Sequence, residues 1–567
     1  MKDNYILSIH AGHNASALIG NKNGILYAVQ EERLTGEKNY WGFPENSVKA
    51  CLSRAGIGPD GIERIVFGTN QFVTRYHSRE DILNSYARQD SLTGKVRQRV
   101  LMPFVLKVHK RFGQKEVLQR LERLGLDATK TTFYDHHASH AAAAYFGLRK
   151  SPGDTYLVVT CDGYGDDLSA TVRVMGPGTD EVLAKSSWED SLGALYSWTT
   201  FRMGFVPLEH EYKLMGMAPY TGRKFAEEVK GIYYKFLDLD KGGLRFKRRT
   251  RKRINDVSRD LFRKLDGKRF DAICGGLQLF TEELLTRWVS NAVERSGVSK
   301  VLASGGVFMN VKANKLISEI PAVTNFEAFP SCGDETLIFG AFYRYVSETY
   351  GNESVSRLGH FYTGDEIDEQ DVVDTLKRSS YKSKRLENSA REVAEILAQG
   401  HPMARCVGAM EFGARALGNR SILADPGNQD VVRIINQMVK KRDFWMPFAP
   451  MIKKDASEKY IVNDKGLDSP YMMMTFDTRE NFGDLIAAVH NADLTCRAQL
   501  LEEHHNPEMY RTISEFENLT GKAVVLNTSF NLHGYPIARN AADAMFIFEN
   551  SGLRYMQLGN HLVWKDD

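Results

Sequence analysis

The sequence predicts a protein of the α/β class, and three stretches carry that prediction. Near the N-terminus, Tyr5 to His10 reads as a strand that leads into the small-residue loop Ala11-Gly12-His13-Asn14-Ala15-Ser16. Further on, the apolar run Thr155 to Cys161 stops on Asp162-Gly163-Tyr164-Gly165, and Lys300 to Ala303 stops on Ser304-Gly305-Gly306. Short apolar strands ending on Asp or Gly, separated by helical stretches, are the pattern of an open sheet whose ligands gather at the carboxyl ends of its strands.

A chain of 567 residues is too long for one core, so several domains are expected. Hydrophobic content of 43% and charged content of 26% describe an ordinary soluble protein, and a net charge of +3 argues neither for nor against a nucleic-acid partner. The six cysteines are scattered without Cys-x-x-Cys spacing, so neither a zinc ribbon nor a disulfide framework is indicated and a reducing cytoplasm is the expected compartment. No apolar run reaches the roughly 18 residues that a membrane span requires.

Taken in order, the opening strand is followed by Ala17-Leu18-Ile19-Gly20, then Asn21-Lys22-Asn23-Gly24 and Ile25 to Val29, a hairpin whose Asn-Gly is expected to supply the turn. Strand, polar loop and returning hairpin open the actin, sugar-kinase and Hsp70 superfold, in which the loop faces a phosphate or acyl phosphate. An actin-like N-terminal domain is therefore expected. Glu31-Glu32-Arg33 reads as a solvated ion-pair cluster. A helix over about Glu45 to Ala55 and a strand at Ile65 to Gly68 follow, and the polar, amphipathic residues 79–125 suggest a lid.

Asp135-His136-His137-Ala138-Ser139-His140, running into four alanines and Tyr145, is the most informative stretch. Alanine favours helix and Asp suits an N-cap, so a helix should begin near Asp135. Residues four apart share a helix face, which places His136 beside His140 and turns His137 away by about 100°. An isolated His-x-x-x-His pair is most often structural or on the surface. Here Asp162 ends the next strand and can join them, and two imidazoles with a carboxylate suit a divalent first-row ion.

Downstream, Arg245 to Arg253 is a basic run that reads as a solvated loop or a phosphate grip. A long helix over about Phe270 to Ser296 precedes the strand that ends at Gly305-Gly306, with Asn310 beyond. Paired glycines between strand and helix let the backbone approach a nucleotide or phosphate. Asp334 is either a helix N-cap or a fourth metal ligand. Polar residues 351–388 read as a linker between a first domain, 1–350, and a second, 389–567. In the second, Arg, Lys, Asn and Ser recur in glycine-containing loops at Arg415, Lys440, Arg497, Asn527 and Ser529, as a phosphate-rich ligand requires.

Gly-His-Asn-Ala-Ser, Glu-Glu-Arg with Lys38, His-His-Ala-Ser-His, Asp-Gly-Tyr-Gly, Lys-Leu-Met-Gly-Met-Ala-Pro-Tyr, Gly-Gly-Val-Phe-Met-Asn, Gly-Asp-Glu, Met-Glu-Phe-Gly-Ala-Arg-Ala-Leu-Gly-Asn-Arg-Ser, Pro-Phe-Ala-Pro and Leu-Asn-Thr-Ser-Phe-Asn occur in this order. With them the chain resembles, from end to end, the O-carbamoyltransferases of antibiotic and nodulation-factor biosynthesis. The resemblance implies an actin-like domain binding a nucleotide and a metal, followed by a YrdC-like α+β domain. In the latter, carbamoyl phosphate and ATP give carbamoyl-adenylate and pyrophosphate; the carbamoyl group then passes to an acceptor hydroxyl at the first site.

By motif match, His136, His140, Asp162 and Asp334 would hold the metal, iron(II) first, with manganese or zinc as alternatives, and magnesium would accompany ATP. His13 and Lys38 would lie near the transferred group, Gly305, Gly306 and Asn310 at the nucleotide, and Arg415, Lys440, Arg497, Asn527 and Ser529 at the activating site. The implied partner is a small-molecule or glycan hydroxyl, with no membrane or nucleic acid and with a homodimer left open. Met446, Gly427, Ala414 and Leu494 depart from the family's usual Arg, Arg, Pro and Gly, which weakens the grip on carbamoyl phosphate. Two competing readings follow from these departures and from the basic run: an actin-like ATP-dependent phosphotransferase or ATPase with an accessory domain, and a non-catalytic nucleotide- or RNA-binding module.

Overall fold

The structure is a computed structural model and describes residues 4–72, 75–90, 112–440 and 443–566. Two compact units divide the chain: Met1–Glu31 with Asn39–Leu358, and Glu32–Lys38 with Gly359–Asp567.

The first unit contains the same five-stranded sheet twice. One sheet runs Gly24–Gln30, Ser16–Asn21, Tyr5–His10, Ile62–Phe67, Thr131–Phe133; the other runs Thr179–Ser187, Leu168–Gly176, Tyr156–Gly165, Lys300–Ser304, Asn325–Ala328. In each, the central strand pairs antiparallel on one side, within a meander, and parallel on the other. This duplicated topology is the actin-like arrangement that the opening hairpin predicts. Ile6, Leu7 and Ile9 of one central strand and Leu157, Val158 and Val159 of the other are fully buried. Both faces are therefore covered, which explains why these strands read as continuous apolar runs rather than as alternating ones.

Local sequence dictates the elements around the second sheet. Asp135 caps the His136–Leu148 helix, its carboxylate accepting the Ala138 N–H at 2.8 Å. The alanines that follow are packed rather than open to solvent; Ala141 to Ala144 are fully buried. They allow the Leu337–Tyr350 helix to approach so closely that a methyl group on Gly340 would overlap the backbone carbonyl of Ser139. The first hairpin also differs in detail. Asn21 pairs with Gly24, so its turn residues are Lys22 and Asn23, and the Asn21 side chain accepts the Asn23 N–H at 2.9 Å. Of the stretch expected as a lid, Arg79–Asp90 and 112–123 are helical, and 91–111 lie outside the described residues.

The second unit is one eight-stranded mixed sheet in the order Lys382–Arg385, His561–Trp564, Tyr555–Leu558, Met403–Cys406, Arg420–Ala424, Val524–Ser529, Ala449–Lys453, Gln499–Leu501. Neighbouring strand residues alternate between two apolar layers. Ala404, Ile422 and Leu526 join one, and Met403, Leu423 and Val525 join the other with the helices Ser389–Ala398 and Pro507–Thr520.

Two expectations are corrected here. Residues 351–388 do not act as a spacer: from Gly359 they belong to the second unit, where they supply the Glu369–Arg378 helix and the edge strand Lys382–Arg385. Their polarity is that of an exposed sheet edge. Glu31-Glu32-Arg33 is not solvated either, because all three side chains are buried. The Glu31 carboxylate accepts the N–H groups of Asn46 at 3.0 Å and Ser47 at 2.7 Å, at the start of the Glu45–Ala55 helix, where negative charge is favoured. Arg33 donates to the carbonyls of Gly413 at 2.7 Å and Ile537 at 3.5 Å within the second unit.

Because Gly340 meets backbone rather than a movable side chain, Gly340→Ala is expected to lower stability by about 1–3 kcal/mol in urea unfolding. An unchanged midpoint and slope would show that the two helices are not in close contact.

Candidate active site

His136 and His140 project from the first two turns of their helix, with ring centroids 4.8 Å apart. Asp162 reaches them from the end of the Tyr156–Gly165 strand, and Asp334 from the turn that precedes the Leu337–Tyr350 helix. Asp162 Oδ2 is 3.2 Å from His140 Nε2 and 3.8 Å from His136 Nε2, and Asp334 Oδ1 is 3.6 Å from both. The four ligand atoms all lie within 4.8 Å of one another. Asp334 is the first residue of its helical turn, with Gly333 at the N-cap position, and its carboxylate faces both histidines.

The donor set fits a divalent ion. Neither Nε2 has a hydrogen-bond partner among the described residues, although both are buried. Burial opposes charge on His136, yet Asp334, Asp162 and Asp166 outweigh it and push the imidazole up to about 9. Burial would raise Asp162, but the facing imidazoles hold its carboxyl well below the usual carboxylate range. The pocket thus favours positive charge. Its outer contacts fix ligand orientation: Ser304 Oγ lies 3.2 Å from His140 Nδ1, Asp166 accepts the His136 N–H at 2.9 Å, and Gly306 N–H donates to Asp162 Oδ2 at 3.2 Å. His137, turned away as the helix period requires, meets Thr160 Oγ1 at 2.9 Å.

The remaining predicted residues divide. His13 lies on the short strand Gly12–His13, which packs against the Asp334–Thr336 turn, and its ring stands edge-on to Trp41 at 5.4 Å. Its carbonyl lies 3.0 Å from His10 Nε2, and His10 feels the charge of Asp334; burial, the larger effect, lowers His10 to about 4. Lys38 is exposed at the end of the Glu32–Lys38 segment, which belongs to the second unit.

Gly305 has a φ of 100°, and a side chain there would run into Cys161 backbone, so only glycine fits. Asn310 has a structural role. It caps the Val311–Glu319 helix through Ala313 N–H at 3.1 Å and exchanges two 2.9 Å hydrogen bonds with Gln278.

In the second unit Arg415 and Arg497 are half-buried. Lys440 ends a helical turn, and its side chain lies outside the described residues. Asn527 is buried and donates to Ala416 O at 2.9 Å and Gln499 Oε1 at 3.1 Å, a brace for the Arg415 loop. Ser529 Oγ donates to Asn531 Oδ1 at 2.6 Å.

Sequence reasoning missed Glu411. Its buried Oε1 accepts the N–H groups of Leu417, Asn419 and Arg420 at 2.8, 2.9 and 3.1 Å, fixing the loop that presents Arg415. It missed Arg420 as well, whose fully buried guanidinium donates to five backbone carbonyls, among them Val407 at 2.5 Å. Of the unusual positions, Leu494 adopts φ 55°, a conformation that glycine takes without strain. At Gly427 a Cβ would meet Lys522 Nζ, which is paired with Asp425 at 2.8 Å; the cation near this position is Lys522.

The basic run is matched by acids. Arg248 pairs with Asp190 and Glu189, Arg249 with Asp238, Lys252 with Asp260, and Arg253 with Glu189 while covering Trp188. Each of these four cations therefore has an acidic partner within the first unit.

A duplicated actin-like unit with a buried His-Asp cluster, followed by a second α/β unit, defines a two-part enzyme. Residues 5–342 match the family model described as carbamoyltransferase N-terminus, and residues 394–565 that described as carbamoyltransferase C-terminus. The chain belongs to the carbamoyltransferase family. Nodulation protein NolNO of Sinorhizobium fredii is 29% identical over 98% of this chain and 79% of its own length. The 3'-hydroxymethylcephem-O-carbamoyltransferase of Amycolatopsis lactamdurans is 28% identical over 50% of this chain and 52% of its own. Among solved structures, T. kodakarensis HypF covers 62% of this chain and 50% of that one at 14% identity, with a TM-score of 0.34. No helix among the described residues is long and apolar enough to cross a membrane.

Two measurements follow from the geometry. His136→Ala or His140→Ala is expected to abolish metal uptake at this cluster in equilibrium dialysis, and Ser304→Ala to weaken it about 10- to 100-fold. Removing the Glu411 carboxylate with Glu411→Ala should cost about 1–3 kcal/mol in chemical unfolding, because three buried N–H groups lose their acceptor.

Proposed function

We propose that this protein is an ATP-dependent O-carbamoyltransferase. Water displaces phosphate from carbamoyl phosphate to leave carbamate, whose oxygen attacks the α-phosphorus of ATP, giving carbamoyl-adenylate and releasing pyrophosphate. The carbamoyl group then passes from the adenylate to a hydroxyl of a secondary metabolite or glycan, with AMP leaving and the hydroxyl proton going to a base. The observation that carries this reading is the buried His136, His140, Asp162 and Asp334 cluster, at the strand ends of a chain whose two halves match the carbamoyltransferase family. A hydroxyl acceptor is supported by the likeness to the 3'-hydroxymethylcephem-O-carbamoyltransferase.

In this reading the first unit is the transfer half and the second, YrdC-like, is the activating half. The four ligands hold iron(II), or else manganese or zinc, and the ion supplies positive charge that polarises a carbonyl or neutralises nucleotide phosphates. His13, on the strand packed beside Asp334, takes the proton of the acceptor hydroxyl, the general-base work for which imidazole is the commonest side chain. The bare backbone at Gly305 and Gly306 lets a nucleotide phosphate come close.

In the activating half, Arg415, Lys440 and Arg497 bind phosphate oxygens, which guanidinium forks match in geometry, and Ser529 adds a hydroxyl donor. Glu411 and Asn527 hold the Arg415 loop in position. The reaction belongs in the cytoplasm, where ATP and carbamoyl phosphate are made.

Full-length protein incubated with ATP, magnesium and carbamoyl phosphate is expected to release pyrophosphate. ADP and phosphate in its place would support the actin-like phosphotransferase reading. His13→Ala is expected to slow carbamoyl transfer to a hydroxyl acceptor by about 10²- to 10⁴-fold and to leave pyrophosphate release intact. Equal loss of both activities would remove His13 from the transfer step.

A further inference from the structure

A second group of ligating side chains lies in the second unit, on the turn between the Gln499–Leu501 strand and the Pro507–Thr520 helix. We propose that Glu502, His504 and His505 form a second divalent-metal site, selective for zinc or another imidazole-binding first-row ion. One ligand atom from each lies within 4.8 Å of the other two. His504 Nδ1 and His505 Nδ1 stand 3.8 and 3.9 Å from Glu502 Oε2. Neighbouring ligands about a four-coordinate ion with bonds near 2.1 Å are separated by roughly 3.5 Å, so a small rotation of each side chain closes the set.

The ligands are preorganised. His505 N–H donates to Glu502 O at 3.1 Å, closing the turn that carries all three side chains. Lys454 Nζ donates to Glu502 Oε1 at 2.9 Å and also binds Asp468, which anchors one carboxylate oxygen and leaves the other facing the imidazoles. His505 packs beside the Tyr471 ring, with centroids 6.2 Å apart. Its Nδ1 is buried with no hydrogen-bond partner among the described residues, a position that a metal bond satisfies. His504 is exposed, so the ion enters from solvent and keeps coordination positions for water. Two imidazoles and one carboxylate favour borderline first-row ions over magnesium or calcium.

The site is structural, and its reach is legible. The turn leads directly into Asn506, which caps the Pro507–Thr520 helix through Met509 N–H at 3.1 Å. Asn506 also donates to Asn419 Oδ1 at 2.9 Å and to Tyr362 Oη at 3.2 Å. Asn419 N–H is one of the three groups that Glu411 gathers, so an ion on the turn stiffens the support of the Arg415 loop. The existence of the site does not rest on the proposed carbamoyl chemistry.

Equilibrium dialysis of the full-length, metal-stripped protein against zinc alone tests the assignment. His136→Ala/His140→Ala is expected to retain one tight equivalent, which disappears when His504→Ala/His505→Ala is added. Glu502→Gln, which preserves shape and both imidazoles, is expected to weaken that equivalent about tenfold or more; this separates a three-ligand site from loose binding by two surface histidines. Thermal unfolding without zinc monitors the fold, and the single His505→Ala variant serves if the combined one fails to fold. Absence of a tight equivalent in His136→Ala/His140→Ala, or zinc binding indifferent to Glu502→Gln, overturns the proposal.

Discussion

Four ionisable groups share one buried pocket, and the arrangement of the first unit follows from keeping them compatible. A lone buried carboxylate or imidazolium costs several kcal/mol, and opposite charges held in good geometry offset that cost. Asp162 and Asp334 face His136 and His140 from two different elements, and the imidazoles offset what burial costs the Asp162 carboxylate. The same opposition makes the pocket receptive to a cation, because the charge that balances it when empty is protonic and exchangeable.

Precision in that pocket comes from backbone packing. The His136–Leu148 helix presents alanines and a bare Ser139 carbonyl to Gly340 of the neighbouring helix, so neither helix can rotate or withdraw without opening a void. Gly305 performs the corresponding service on the other side, where its lack of a side chain lets the turn after Lys300–Ser304 press against Cys161, next to Asp162. Small residues therefore set ligand geometry as firmly as the ligands themselves. In the second unit the roles reverse. There the Arg415 loop is held by large polar side chains, Glu411, Arg420 and Asn527, each bonded to backbone groups.

Whatever was local was legible in the sequence. The helix period placed His136 beside His140, the Asp135 cap marked where that helix begins, and strand endings pointed to Asp162 and Gly305. What depended on distant chain was not. Arg33 meets Gly413 and Ile537, and nothing within reach of a sequence window could show that three consecutive charged residues would be buried. The internal bonds of Asn310 and Asn527 are equally hidden from a sequence window, because their partners Gln278 and Gln499 lie 32 and 28 residues away. Glu411 escaped notice for a related reason: its acceptors' partners are main-chain amides, which leave no side-chain signature.

The excursion of Glu32–Lys38 into the second unit has a consequence for how this protein can be cut. The chain leaves the first unit at Glu31, contributes Arg33 to the interior of the other, and returns at Asn39. A clone beginning at residue 359 would be born without a piece of its own interior, leaving the carbonyls that Arg33 serves without that donor. The second half thus depends on a stretch of chain that lies within the first, and cut at residue 359 it is not a self-sufficient cassette that recombination could move alone.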